Sequence, residues 1–462
     1  MSNHLQSIVV LGNNLEAWMA AVLLASQQYV HRPEIRIMTG VQSEVNNHVQ
    51  APLPDFSKFL GKVGIGVNDL ILKCEAMPRF GTRYHLPSGQ FVHIWGEYGA
   101  KRGLFDFHQI LLKAMRSGVN ADLNQLSIAA AAVVEGKLIQ ALKDPASIFS
   151  TFEASLTFSS RLFIDLLVER AKALNIIIDS RAVKTLLDRG SDVSVILGAG
   201  EELSASFAIN TSSQLRTSDA VCEAWGSYIP SRFDERHFHE KKQVELGSDV
   251  VFDGGATLEI RQHIRSGIET IRFRMISPAE GDARGDRRES ECVSNPFGNR
   301  ILHIGKAAVS LPPVLVSEAD LAWISLSSLL KFFPAPESRL NTNAEYNEVV
   351  FESFKSIRDI TQTALELLAK QVQASAYIEQ ITGRSEANEH RKSLFAYRGK
   401  LPFYEHEVFK SEWQTWLFWG LGLIPRCFDP LVEAMGEDQA KQIVTAVQNA
   451  VNRELKALPG LA

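Results

Sequence analysis

The sequence predicts an α/β fold in three parts: a Rossmann-like dinucleotide-binding domain, a β-rich layer inserted in it, and a helical C-terminal region. Three observations lead there. The chain opens Ile8-Val9-Val10-Leu11-Gly12-Asn13-Asn14 and runs on in apolar residues from Leu15 to Ala25, which reads as buried strand, glycine turn and helix. A second strand, Ile35-Arg36-Ile37-Met38, follows at once. Between Phe163 and Asn210 come a helix, a strand, a hairpin and another buried strand, the order that closes such a domain.

The elements between these follow from periodicity and punctuation. Leu53 to Leu72 carries Phe56, Phe59 and Leu60 at helical spacing and predicts one helix. Arg79 to Trp95 alternates around the turn Pro87-Ser88-Gly89 and predicts a hairpin. Phe105 to Met115 predicts an amphipathic helix, and Phe163 to Leu174 another, followed by Ile176-Ile177-Ile178 as a strand. Ser194 to Leu197 and, past the Gly198-Ala199-Gly200 turn, Phe207 to Asn210 complete that domain. Residues 216–280 are strand-like, and Gly281 to Glu291 reads as a solvated charged loop. Ile301 to Gly305 is a buried strand, Glu318 to Phe333 a helix, and the chain from Asn341 on is strongly helical. The expected domains are 1–215 completed by 295–335, then 216–294, then 336–462.

Composition narrows the partners. With 462 residues, 45% hydrophobic and 22% charged, the chain is long enough for a large buried core. A net charge of -5 gives no polyanion-binding signal, so nucleic acid is not expected as a partner. Cys74, Cys222, Cys292 and Cys427 form no CxxC pair, and no metal site is expected. His237-Phe238-His239 lacks a further ligand at metal spacing and reads as a surface strand. No apolar run reaches about 18 residues and no basic-plus-apolar leader precedes Ile8, so no membrane and a cytoplasmic location are expected.

The first turn is unusual for a nucleotide site. In G-x-G-x-x-G the middle glycine lets backbone approach a pyrophosphate and the last lets the helix pack on the strand. Those places hold Asn14 and Ala17, and Glu16 adds a negative charge where phosphate would sit. The same residues suit a helix start with no ligand. Asn13 or Asn14 can cap it, worth about 0.5–2 kcal/mol over alanine. Glu16 would complement the helix dipole by roughly 0.3–1 kcal/mol.

Several segments, in order along nearly the whole chain, resemble the flavin-dependent tryptophan halogenases. Ala17-Trp18-Met19-Ala20-Ala21 is similar to that family's Gly-Trp-Met-Ala-Ala. Phe91-Val92-His93-Ile94-Trp95-Gly96-Glu97-Tyr98-Gly99 resembles its Phe-Tyr-His-Pro-Phe-Gly-x-Tyr-Gly. Asp106-Phe107-His108, Leu126 to Ala129, Phe158 to Leu174, Tyr346-Asn347 and Ile357-Arg358-Asp359 fit later segments. Trp416 through Gly420, Gly422, Pro425-Arg426 and Asp429-Pro430-Leu431 resemble its close. The resemblance implies a flavoprotein fold, FAD as cofactor and an indole or other aromatic small molecule as substrate. It implies FAD contacts at Gly12, Asn13, Asn14, Ala17, Thr39, Gly305 and Ala308.

It also implies a chemistry whose stations are altered here. In the family, reduced flavin and oxygen oxidise halide, and hypohalous acid crosses a tunnel to a lysine assisted by a glutamate. Arg79, in Ala76-Met77-Pro78-Arg79-Phe80-Gly81, stands at the lysine's place. A guanidinium stays protonated and is a poor nucleophile, though it can hold an anion or oxidant. Leu315 stands at the glutamate's place, with Glu318 three residues on as a shifted base or a solvated helix-start acid. Loss of such a base typically costs about 10²–10⁴ in rate. The tunnel tryptophans are replaced by Leu258 to His263. The acid after the second strand is Thr39, the Gly-Val-Gly-Glu loop is Asn47 to Pro54, and Asp-Cys-Ser-Gly is Asn210 to Ser213.

Three functions follow as alternatives. The first is a divergent member with lost halogenation and weakened or lost FAD binding, non-catalytic or regulatory, as a homo-oligomer or paired with an active homologue. The second is an active FAD-dependent halogenase or monooxygenase using Arg79 and Glu318. The third is a small-molecule binding protein. His93 reads as a satisfied core histidine or a catalytic one, and Trp413, Trp416, Phe418 and Trp419 read as core.

Overall fold

The computed structural model describes residues 6–29, 31–41, 48–99, 105–144, 147–230, 232–240, 245–253, 257–274, 290–333 and 339–460. The charged loop at 281–289 and Asn47 lie outside these residues. The chain forms two compact units. One comprises Met1–Ala76, Phe158–Gly226 and Arg288–Ser356; the other comprises Met77–Thr157, Ser227–Arg287 and Ile357–Ala462.

The first unit is built on a seven-stranded sheet. Its strands Ser7–Leu11, Glu34–Gly40 and Phe207–Asn210, with Ile301–His303 at the edge, run parallel with the start of Ile177–Asp188. Near-continuous apolar runs are what strands covered on both faces require. Val9, Leu11, Met38, Val195, Ala208 and Ile301 meet in one buried cluster. The helix Leu15–Ala25 is buried along its whole length, including Glu16. The expected hairpin lies at the sheet edge, where Val193–Leu197 pairs with Glu202–Ala205, a strand the sequence reading did not name, and Phe207–Asn210 returns to the parallel core beside Ser7–Leu11. The expected single helix of 53–72 is also corrected. It is two helices, Phe56–Val63 and Val67–Lys73, parted where Gly64 turns left-handed at φ +68°. Phe56, Phe59, Phe158, Phe163 and Trp323 pack ring against ring beside them.

The second unit has its own seven-stranded sheet. Residues 77–157, which the sequence reading placed with the nucleotide domain, belong to this unit. The expected hairpin lies on one side of it as Gly81–Leu86 and Gly89–Gly96, and Ser248–Asp253, the middle strand, runs parallel to Gly81–Leu86. Thr257–Ile264, Gly267–Arg274 and Arg232–Glu240 extend the sheet antiparallel. The helix Ser411–Gly420 lies on the face that carries Phe91, His93 and Trp95. A Cβ on Gly420 would lie 2.1 Å from the Phe91 ring. Gly420→Ala is therefore expected to cost about 1–3 kcal/mol by overpacking, read as a lower urea midpoint with unchanged m-value. Among the described residues no helix is long and apolar enough to cross a membrane.

Candidate functional site

The Gly12 turn in the first unit gathers most of the residues singled out in the sequence. Gly12 sits at φ +142°, and a Cβ there would lie 2.1 Å from Thr211 Oγ1. Only glycine fits. Asn14 is the N-cap of Leu15–Ala25: its Oδ1 accepts from the Ala17 N–H at 3.1 Å. The Thr211 hydroxyl donates to Leu11 O at 2.8 Å and lies 2.9 Å from the same Asn14 Oδ1, while Asn14 Nδ2 reaches Thr211 O at 3.4 Å. Asn13 takes the other task, accepting from Trp18 Nε1 at 3.1 Å. Of the two asparagines that sequence offered as caps, the structure uses Asn14.

Glu16 behaves differently from the dipole-complementing acid expected. Its side chain is buried, 1% exposed, and reaches across to the turn after Ile301–His303. Gly305 is left-handed at φ +56°, and its missing Cβ leaves the space that Glu16 Cγ fills, 2.6 Å from where that Cβ would be. Burial, then the nearby Glu318 charge, push the Glu16 carboxyl from 4.5 up to about 7, partly offset by Lys306. Glu318 is therefore no solvated helix-start acid. It begins Glu318–Lys331, with Lys306 Nζ 3.5 Å away and its side chain 16% exposed. Ala308, the last contact expected in this region, donates its N–H to Gly305 O at 2.9 Å and accepts from Val293 N at 2.7 Å. Thr39 donates to Asp179 O at 3.3 Å.

The loop in place of Gly-Val-Gly-Glu is also turned to internal use. Gln50 Oε1 accepts from the Ala319 N–H at 3.2 Å, and Asp320 accepts from Leu53 N at 2.8 Å and from Ser317 N at 2.7 Å. The start of Glu318–Lys331 is thus capped by side chains of this chain. Asn210 Nδ2 lies 3.0 Å from His303 Nδ1, and burial lowers the His303 pKa to about 4, so the ring is neutral. A dinucleotide pyrophosphate needs open backbone N–H groups and no negative charge beside them. Here the Ala17 N–H is taken by Asn14, and a buried carboxylic acid lies against the Gly305 turn. These residues do not fit that group.

Arg79 stands in the second unit and Glu318 in the first. Arg79 is 4% exposed, its guanidinium 4.4 Å from the centre of the Trp95 ring, with Nη2 donating to Thr82 Oγ1 at 2.9 Å. His93, in the best-matching segment, donates Nε2–H to Trp413 O at 2.9 Å. Burial lowers the His93 pKa to about 4, with the Arg79 charge acting in the same direction. It is a neutral, bonded core imidazole. Leu315 is buried and apolar. His237 and His239 stand on Arg232–Glu240 with ring centres 6.2 Å apart. What sequence reasoning missed is Glu16 as a buried acid facing Gly305, and a polar row on the sheet beside Arg79. Neither has a local signal, because each joins segments hundreds of residues apart.

Comparison with known proteins agrees with the resemblance read from the sequence. The family model for tryptophan halogenase matches residues 7–218 and 276–437. The fold is similar to BrvH, a flavin-dependent halogenase from Brevundimonas sp. BAL3, at TM-score 0.88 and 20% identity, covering 99% of this chain and 98% of that one. It is similar to Xcc4156, a flavin-dependent halogenase from Xanthomonas campestris, at TM-score 0.88 and 17% identity over 98% and 96% of the two chains. A tryptophan 6-halogenase, SttH from Streptomyces toxytricini, aligns at TM-score 0.84 and 14% identity over 98% of each. No curated protein matches by sequence.

Proposed function

This chain belongs to the tryptophan halogenase family, and from that membership we propose that it is a divergent member that has given up halogen transfer and tight FAD binding. It acts as a non-catalytic or regulatory homologue, alone or paired with an active one. The observation that carries this is the Gly12 turn, where Asn14 takes the Ala17 N–H and packs with Thr211 against Gly12, while Glu16, in the first turn of the same helix, is buried against Gly305. Arg79 in the lysine's place and Leu315 in the glutamate's support it, since neither can take up halogen or accept a proton.

The test is direct. The purified protein is expected to show no flavin absorbance. Its titration with oxidised or reduced FAD is expected to give a dissociation constant no tighter than about 100 μM, about -5.5 kcal/mol. Sub-micromolar binding of either form, or bromide-dependent product from indole compounds, would overturn the reading in favour of an active FAD-dependent halogenase or monooxygenase. A second reading, a small-molecule binding protein, is favoured by the polar groups buried around Arg79.

A further inference from the structure

The second unit's sheet carries a row of polar side chains across its strands where apolar packing is the rule. Thr82 lies opposite His93 on one side and opposite Ser248 on the other, and Ser248 lies opposite Gln262. Side chains directly opposite one another share a face, about 4.5–5.5 Å apart at Cβ. Tyr84, two residues after Thr82, lies on that same face. Tyr84, Ser248 and Gln262 are 1%, 2% and 3% exposed. Tyr84 OH, Ser248 Oγ and Gln262 Oε1 have no hydrogen-bond partner among the described residues. A buried polar group left unmet is far costlier than the net return of one that is bonded. Three of them on neighbouring strands mark a place that calls for a partner beyond the described residues.

The chemistry of that partner can be read from the donors. Arg79 reaches the row through Thr82, 2.9 Å from its Nη2, and brings a fixed positive charge. That charge also acts on Tyr84, opposing the burial that raises its phenol. A guanidinium fork with hydroxyl donors suits a two-oxygen anion. Gln262 Oε1 is an acceptor and asks for a donor on the same molecule.

We propose that Arg79, Tyr84, Ser248 and Gln262 form a binding site for a small hydroxy acid. The guanidinium and the two hydroxyls hold its carboxylate, and its hydroxyl donates to Gln262 Oε1. The proposal rests on the reading of this chain as a small-molecule binder and is independent of whether FAD binds.

The test titrates the full-length protein with glycolate, acetate and bromide in chloride-free buffer, read by tryptophan fluorescence, since Arg79 lies on Trp95, and by thermal shift. Glycolate is expected to bind saturably and at least fivefold tighter than acetate. Gln262→Leu is expected to abolish that preference while keeping acetate binding. Ser248→Ala is expected to weaken both acids about tenfold. Tyr84→Phe, which changes only a hydroxyl, repeats the Ser248→Ala result if that variant folds poorly. No saturable binding of either acid, bromide binding as tightly as glycolate, or a glycolate preference unchanged in Gln262→Leu would each overturn the assignment. FAD titration of the same samples is read separately. A protein that binds glycolate and also FAD sinks the loss of flavin and leaves this site standing.

Discussion

Glu16→Gln is expected to stabilise the protein by about 2–3 kcal/mol above pH 7 and by almost nothing below pH 4.5. Folding lifts the Glu16 carboxyl from 4.5 to about 7 by burying it and setting it near Glu318. Between those values the folded state holds a proton that the unfolded chain has released. Stability therefore falls as pH rises through that window, and the loss is complete above it. Across the window the loss accumulates at up to about 1.4 kcal/mol for each step of one in pH. Glutamine keeps the shape and cannot ionise. His93 and His303 act in the opposite sense, because their folded pKa values are brought down to about 4 and stability is lost as pH falls from 6.5 toward 4. Both proteins share those two histidines, so they cancel in the difference. Urea unfolding of both proteins from pH 4 to 9 measures it, with about 2–4 °C in melting temperature per kcal/mol for a domain of this size. A difference that stays flat with pH would show that Glu16 is not the buried acid described.

The second large effect concerns the nucleotide. Asn14→Gly combined with Glu16→Ala is expected to raise FAD affinity at least tenfold, about 1.4 kcal/mol. The first change removes the side chain that fills the turn and frees the Ala17 N–H. The second removes a carboxylate from beside the helix start, where phosphate is favoured. Glycine as an N-cap costs only a few tenths of a kcal/mol against asparagine, so the helix survives. Fluorescence quenching of FAD by wild type and double variant decides the matter. Equal affinities would place the obstacle to flavin elsewhere than this turn.

The parts of this molecule legible in its sequence are those governed by neighbours along the chain. The strand, turn and helix from Ile8 to Ala25 and the hairpin around Pro87-Ser88 declare themselves by period and punctuation. An asparagine cap at Asn13 or Asn14 is legible because capping acts over three residues, and the structure selects Asn14. The break at Gly64 is not legible, because Phe56, Phe59 and Leu60 keep helical spacing up to it and a lone glycine does not always end a helix. Position along the chain alone makes Glu16 a helix-start acid. Its burial depends on Gly305 and Glu318, some 290 and 300 residues away, and no window along the chain contains both. The Thr82–Ser248–Gln262 row needs strand register, which the hydrophobic pattern of distant segments does not disclose.

The contact between Glu16 and Gly305 ties two positions into one mutational unit. Gly305→Ala meets the Glu16 stem as well as its own left-handed backbone. Shortening Glu16 first relieves the clash and leaves only the backbone strain, so the alanine is far better tolerated second than first. Such order dependence works as a ratchet. While the glutamate sits against the glycine, substitution at position 305 is held back, and a change at position 16 opens it.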